Sequence, residues 1–133
     1  MMIALSFLAA AMALPDLDVL RGNVAKCERA AVSRVFSEEP QRRAGFLVDS
    51  VKEQQDIAAG RLALAERRRK LRTATGGSDT ADAITASALE LDDRQQALND
   101  RRAVDAVYRE ALDFLRQHYL TSCAQGSVNA LNK

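Results

Sequence analysis

Tryptophan is absent from this chain, and aromatic residues make up 5% of it, which excludes a core built on large aromatic packing. Glycine and proline number six and two, too few to punctuate the many short strands of a sheet protein. One histidine and two cysteines cannot supply the four ligands of a structural zinc site. Neither cysteine lies in a C-x-x-C pair, which excludes a thioredoxin-like redox centre. An excess of one charge is missing too, since 19 basic residues face 18 acidic ones. Proteins that grip a nucleic-acid backbone carry a positive excess on one face. Any such reading must therefore rest on a local cluster.

What remains is rich in alanine, leucine, arginine, glutamine and glutamate, residues that lose little side-chain freedom in a helix. A chain of 133 residues forms one ordinary domain. The class is all-α.

Residues 1–13, MMIALSFLAAAMA, contain no charged side chain. The stretch is shorter than the roughly 20 apolar residues that span a bilayer. It fits the apolar core of a secretory signal, with Ala11 and Ala13 around Met12 as an A-x-A-like cleavage site. A buried N-terminal helix is the alternative; the lack of any polar face and the Leu14-Pro15 break speak against it. The expected organisation is a signal at 1–13, a helical domain at 14–123 and a tail at 124–133.

Cys27 and Cys123 both survive cleavage, and two cysteines in an oxidising compartment predict one bridge. Their midpoint is position 75, inside the helix-breaking stretch 73–79 (TATGGSD). If that stretch is the tip of an antiparallel hairpin, the two sulfurs meet at its open end. The bridge would close a loop that the chain-entropy model values at somewhat under 5 kcal/mol.

The periodicity predicts three helical segments. Asn23 caps the first, which carries Val24, Cys27, Ala31 and Val35 and places Cys27 on the buried face. Ser37-Glu38-Glu39-Pro40 then marks a kink or a restart. The second helix covers 40–72 with a wide apolar stripe: Leu47, Val51, Ala58, Leu62 and Ala65 on one flank, Ile57, Leu64 and Leu71 on the other. Gly60 is either a weak point or a place of close helix approach. The third helix starts near Ser78 or Asp79, with Asp82 placed for an N-terminal cap, and continues to about Leu120. Its seam is Ile84, Ala88, Leu91, Gln95 and Leu98, continued out of phase by Val104, Tyr108, Leu112, Leu115 and Tyr119. The fold expected is a long, coiled-coil-like antiparallel hairpin with a shorter N-terminal helix, closed by one disulfide. Segment 23–36 either extends helix 40–72 or folds back on it. Folding back would separate the two cysteines by roughly 30 Å along the helix, beyond disulfide reach.

Candidate chemistry is sparse. The basic run Arg67, Arg68, Arg69 and Lys70, with Arg72, could meet an anionic partner, or it could be a solvated helix end favoured by the macrodipole. No aromatic residues interleave with it for base stacking, and export makes nucleic acid an unfavourable partner. His118, in a helix's last turn, fits a dipole-favoured end residue. Ser33, Ser37 and Ser50 sit in no G-x-S-x-G elbow. The pairs Glu38-Glu39 and Asp92-Asp93 diverge by about 100° on a helix and form no shared acid/base site. No enzyme, cofactor or metal is expected.

Three stretches, 61–69 (RLALAERRR), 93–98 (DRQQAL) and 118–123 (HYLTSC), together with the short signal, resemble small exported coiled-coil proteins of alphaproteobacteria. The resemblance spans nearly the whole chain and implies export without bringing an activity or a functional residue. In organisation alone the chain is similar to OmpH/Skp-type periplasmic chaperones, whose motifs it lacks. The function these features predict is a periplasmic or secreted structural or protein-interaction module, binding a protein partner or a second copy. The alternative is a holdase-like chaperone for unfolded envelope proteins. Membrane contact is expected only if the signal stays uncleaved.

Overall fold

The computed structural model describes residues 14–73 and 78–124. The signal expected at 1–13, residues 74–77 of the expected tip, and all but the first residue of the tail expected at 124–133 lie outside the described residues. The described chain is all-α: α1 (Leu17–Ala25), α2 (Arg29–Thr73), α3 (Ser78–Tyr119) and a closing π-helical turn (Leu120–Ala124).

Helix α1 begins ahead of the first helix expected from the sequence, whose start falls at Asn23. The Asp16 carboxylate starts it, accepting from the Asp18 and Val19 amides at 2.8 and 3.3 Å. Leu20 and Val24, four residues apart, are its buried face. Asn23 therefore lies inside a helix and does not cap one. The helix ends at Ala25, and beyond it the Cys27 amide donates to the Val24 carbonyl and the Glu28 amide to the Asn23 carbonyl. This pair of bonds is a Schellman cap, whose left-handed position is normally glycine. Here Cys27 holds it, at φ 54°. Cys27 is exposed in the turn, not on a buried helix face as the apolar spacing suggests.

Helix α2 runs 45 residues without a break, with Pro40 inside it. Of the kink or restart expected at 37–40, the restart does not occur. Proline removes one intrahelical bond, but Pro40 stands at an exposed position, where the freed carbonyl one turn earlier can tilt toward water. Glu39 and Arg42 beside it are buried, so packing holds the flanking turn. Segment 29–36 thus extends helix 40–72, which excludes the fold-back topology.

The structure forms two compact units, one containing 14–42 and 111–124, the other 43–110. In the first, Leu20, Val24, Val32, Leu112 and Leu115 are buried. Cys27 and Cys123 are bonded there, with Cα atoms 5.5 Å apart. The Cys123 sulfur also lies 3.5 Å from the Val24 carbonyl; being oxidised, it has no proton to donate, so this is a packing contact.

In the second unit α2 and α3 pack antiparallel. Glu53 pairs with Arg94, Gln54 with Gln95, and Gly60 faces Leu91. Each pair is centred within two residues of position 75. Ile57, Leu64, Ile84, Leu91 and Leu98 are buried here, and Leu71 and Ala88 pack against the cluster of Leu64, Ile84 and Leu91. Full burial of one such aliphatic side chain stabilises by about 1.5–3 kcal/mol. The α2 row at 46, 50, 53, 57, 60, 64, 67 and 71 keeps heptad spacing. On α3 the row steps through 84, 88, 91, 95, 98 and 102, then takes two three-residue steps to 105 and 108. That is the local overwinding expected of the imperfect repeat, but it passes through Asp105, which is buried, while Val104 is 57% exposed.

Candidate functional site

The apolar stripe of α2 splits into a used and an unused half. Ile57 and Leu64 are buried and Leu71 is partly so, while Leu47, Val51 and Leu62 are 63%, 45% and 75% exposed. The unused half is the flank a helix presents when it contacts one neighbour and still has apolar surface for a second. On α3, Leu89, Val104 and Val107 are exposed as well.

Of these exposed residues, Leu47 and Val51 line a groove of about 450 Å³ along one side of the α2–α3 pair in the second unit. Its floor and walls include Phe46, Leu47, Ser50 and Val51 from α2. Three guanidinium groups border it, those of Arg43, Arg102 and Arg109, against one carboxylate, that of Asp105. Asp105 accepts from Arg109 at 3.0 Å. Arg102 instead donates to the neutral Oε1 of Gln54 at 3.2 Å, and among the described residues no ion pair neutralises it. Gln54 is held in turn by a reciprocal amide pair with Gln95 at 2.8 and 3.1 Å, and Gln95 donates to Asn99 at 3.0 Å. A carboxamide network between the helices thus fixes Arg102 without cancelling its charge.

The same side of α2 continues through 54, 58, 61, 65 and 68, at alternating steps of four and three. Arg61, Leu64 and Arg68 form a second, smaller recess of about 290 Å³ with Ala88, Leu91 and Asp92. Arg61 reaches Asp92 only at 3.5 Å, with both side chains well exposed, a geometry worth little in water. The opposite flank differs: Asp49, Glu53 and Asp56 are acidic, and Glu53 accepts from Arg94 at 2.9 and 3.0 Å. The Arg94 hydrogen bond holds the Glu53 carboxyl below its ordinary pKa.

The basic run proves to be spread around α2 and not gathered on one face. Arg67 donates to Ser87 at 3.4 Å, Arg69 pairs with Glu66, and Arg68 lines the recess. Lys70 and Arg72 are exposed in the last turn, beside its carbonyls. Consecutive residues step about 100° around a helix, so five neighbours cannot make one patch. The arginines that do line recesses form two sets, 43, 102 and 109 at the groove and 61 and 68 at the second recess. Only the four- and three-residue spacing of 61 and 68 with 47, 51, 54, 58 and 65 could have signalled half of this from sequence.

Of the notional catalytic residues, Ser37 donates to the carbonyl of Arg34 within its own helix at 2.9 Å. His118 is exposed and stacks on Phe114, with ring centroids 6.3 Å apart. Ser50 is buried beneath the groove. Among the described residues no group of three or more His, Cys, Asp or Glu side chains converges as a metal site would require. No helix among them is long and apolar enough to cross a membrane. Comparison with protein families, with characterised proteins and with solved structures returned no match to this chain.

Proposed function

We propose that the protein is an exported interaction module, a disulfide-closed helical pair that binds a protein partner through the exposed flank of α2. The observation that carries this reading is the unused half of the apolar stripe: Leu47, Val51 and Leu62 face solvent while Ile57 and Leu64 of the same helix are buried. Contiguous apolar surface rimmed by polar groups is a mark of interaction surfaces. Export, to the periplasm or beyond the cell, is supported by the signal-like residues 1–13 and by the Cys27–Cys123 bridge, a bond that persists in oxidising compartments. The resemblance to small exported alphaproteobacterial proteins points the same way. Enzymatic activity forms no part of the reading.

In vivo crosslinking from position 62 with a photoreactive residue, followed by mass spectrometry of the adduct, tests the function. An envelope protein joined reproducibly at that position is the expected result. Monomer in sedimentation together with no adduct would sink it. Intact-mass analysis of protein from an export-competent host should show a mature start near Leu14; a retained Met1 would point to membrane retention through an uncleaved signal.

A holdase-like chaperone is the second reading. The exposed Leu89, Val104 and Val107 on α3 favour it, since two apolar flanks are what a clamp needs. It requires suppression of the aggregation of an unfolded outer-membrane protein, and no suppression at stoichiometric excess would remove it.

A further inference from the structure

We infer that the groove bordered by Arg43, Arg102 and Arg109 seats an acidic amphipathic helix of a partner protein, its apolar side on Leu47 and Val51 and a carboxylate on Arg102. This rests on the interaction reading above and adds the partner's chemistry. Three observations support it. The lining holds three guanidinium groups to one carboxylate, with Arg109 paired to that carboxylate and Arg43 engaged by a partner of its own, so the positive character rests on Arg102. Arg102 is positioned by the Gln54 amide without an opposing charge among the described residues, so an incoming carboxylate meets a fixed cation and does not have to displace an existing partner. The recess at Arg61 and Arg68 extends the same sign along the same side of α2.

The shape selects a helix. Leu47 and Val51 are one turn apart, and the groove lies between two antiparallel helices, where a third helix packs its i, i+3, i+4 and i+7 side chains. Arg102 and Arg109 stand two turns apart on α3, about 10.5 Å along its axis. A partner helix with glutamates at i and i+7 matches that separation, the first on Arg102 and the second beside Arg109, where it shares that guanidinium with Asp105. A second copy of this chain fits less well. Its matching groove repeats the arginines, and its acidic row of Asp49, Glu53 and Asp56 has Glu53 already engaged by Arg94.

The test uses the full mature, disulfide-bonded chain and a fluorescent synthetic peptide of about 20 residues, with leucines at heptad spacing and glutamates on the flanking positions. Fluorescence anisotropy should show saturable binding that weakens as salt is raised. Arg102→Glu and Leu47→Asp should each weaken it at least tenfold. Arg101→Glu, an exposed change outside the groove, should leave it unchanged. Circular dichroism and thermal melts establish that the variants fold, and amide shift changes confined to 43–51 and 102–109 locate the peptide independently of any variant. Equal binding of a lysine-substituted peptide would overturn the proposal, as would full affinity in both groove variants. Binding to phosphatidylglycerol vesicles without binding to the peptide would also overturn it and assign the surface to lipid. So would a dimer in sedimentation that Arg102→Glu disrupts while the peptide fails to bind, which would assign the groove to a second copy. Crosslinking from position 62 separates this proposal from the function: an adduct retained by Arg102→Glu keeps the interaction module and removes the groove as its seat.

Discussion

Gly60 and Leu91 meet more closely than a Cβ at position 60 would allow unless the Leu91 side chain turned away. A Cβ built on Gly60 would stand 2.7 Å from Leu91 Cδ2, whereas the same atom on Gly45 meets nothing within 4 Å. Both glycines lie inside α2, where alanine is better by about 1 kcal/mol in intrinsic propensity. Gly45→Ala should therefore raise unfolding stability by about that amount. Gly60→Ala should gain less, because Leu91 must turn within its cluster, and Gly60→Leu should lose about 1–3 kcal/mol through overpacking. Urea melts of the three variants rank them; Gly60→Leu as stable as the parent would refute the close approach. Glu39 and Arg42 offer a different residue-level case. Their side chains are 7% and 9% exposed and joined by two bonds of 2.7 Å. Arg42→Met leaves the Glu39 carboxylate buried without this partner and should cost about 3 kcal/mol or more. In a double-mutant cycle with Glu39→Leu, the double variant should cost clearly less than the two single changes together.

At the scale of elements, the end of α1 carries two tasks on one residue. Cys27 closes the Schellman turn in a left-handed conformation and also forms the bridge. A non-glycine residue in that conformation costs roughly 1–2 kcal/mol. With the bridge removed in both, the pair Cys27→Gly/Cys123→Ala should be more stable than Cys27→Ala/Cys123→Ala by about 1 kcal/mol, since only glycine takes the turn freely. Equal midpoints in urea would show that the turn opens once the bridge is lost. Between α2 and α3 the Glu53–Arg94 pair sets a pH dependence. Glu53's carboxyl is held low by Arg94, so its contribution is present above the ordinary carboxylate range and lost as pH falls through the depressed value. Both side chains keep solvent contact, 26% and 37% exposed, so the effect is small and salt-sensitive. An NMR titration should place the Glu53 midpoint below that of free glutamate and return it upward in Arg94→Ala.

For the whole molecule, the bridge joins residues 96 positions apart, so it restricts the unfolded chain far more than a local staple does. The chain-entropy model assigns a loop of that size about 4–5 kcal/mol. Reduction should lower the thermal midpoint markedly, and a non-reducing peptide map should recover Cys27 and Cys123 in one linked fragment. The interaction reading also belongs to this scale. It depends on α2 having more apolar surface than α3 covers, a property of the packed pair and of neither helix alone.

The helical class and the pairing of Cys27 with Cys123 were both legible in the residues, because helix formers dominate locally and two positions equidistant from a glycine-rich break must approach if the chain doubles back. The ends of α3 were legible for the same local reason, with start and stop signals beside a long periodic run. The course of the chain near Pro40 was not. Proline's cost is local and was visible, but the packing of Glu39 and Arg42 that holds the turn is tertiary. Asn23 reads as a helix start, yet it lies inside α1, which ends at Ala25 where Cys27 takes the left-handed turn position; the buried Leu20 and Val24 and the bond to a distant sulfur are tertiary. Which half of the α2 stripe is packed was undecidable from periodicity, since the buried row is itself interrupted by Glu39, Arg42 and Ser50. Local propensity is written along the chain, whereas burial is assigned only when α3 takes up one side of α2 and leaves the other to water.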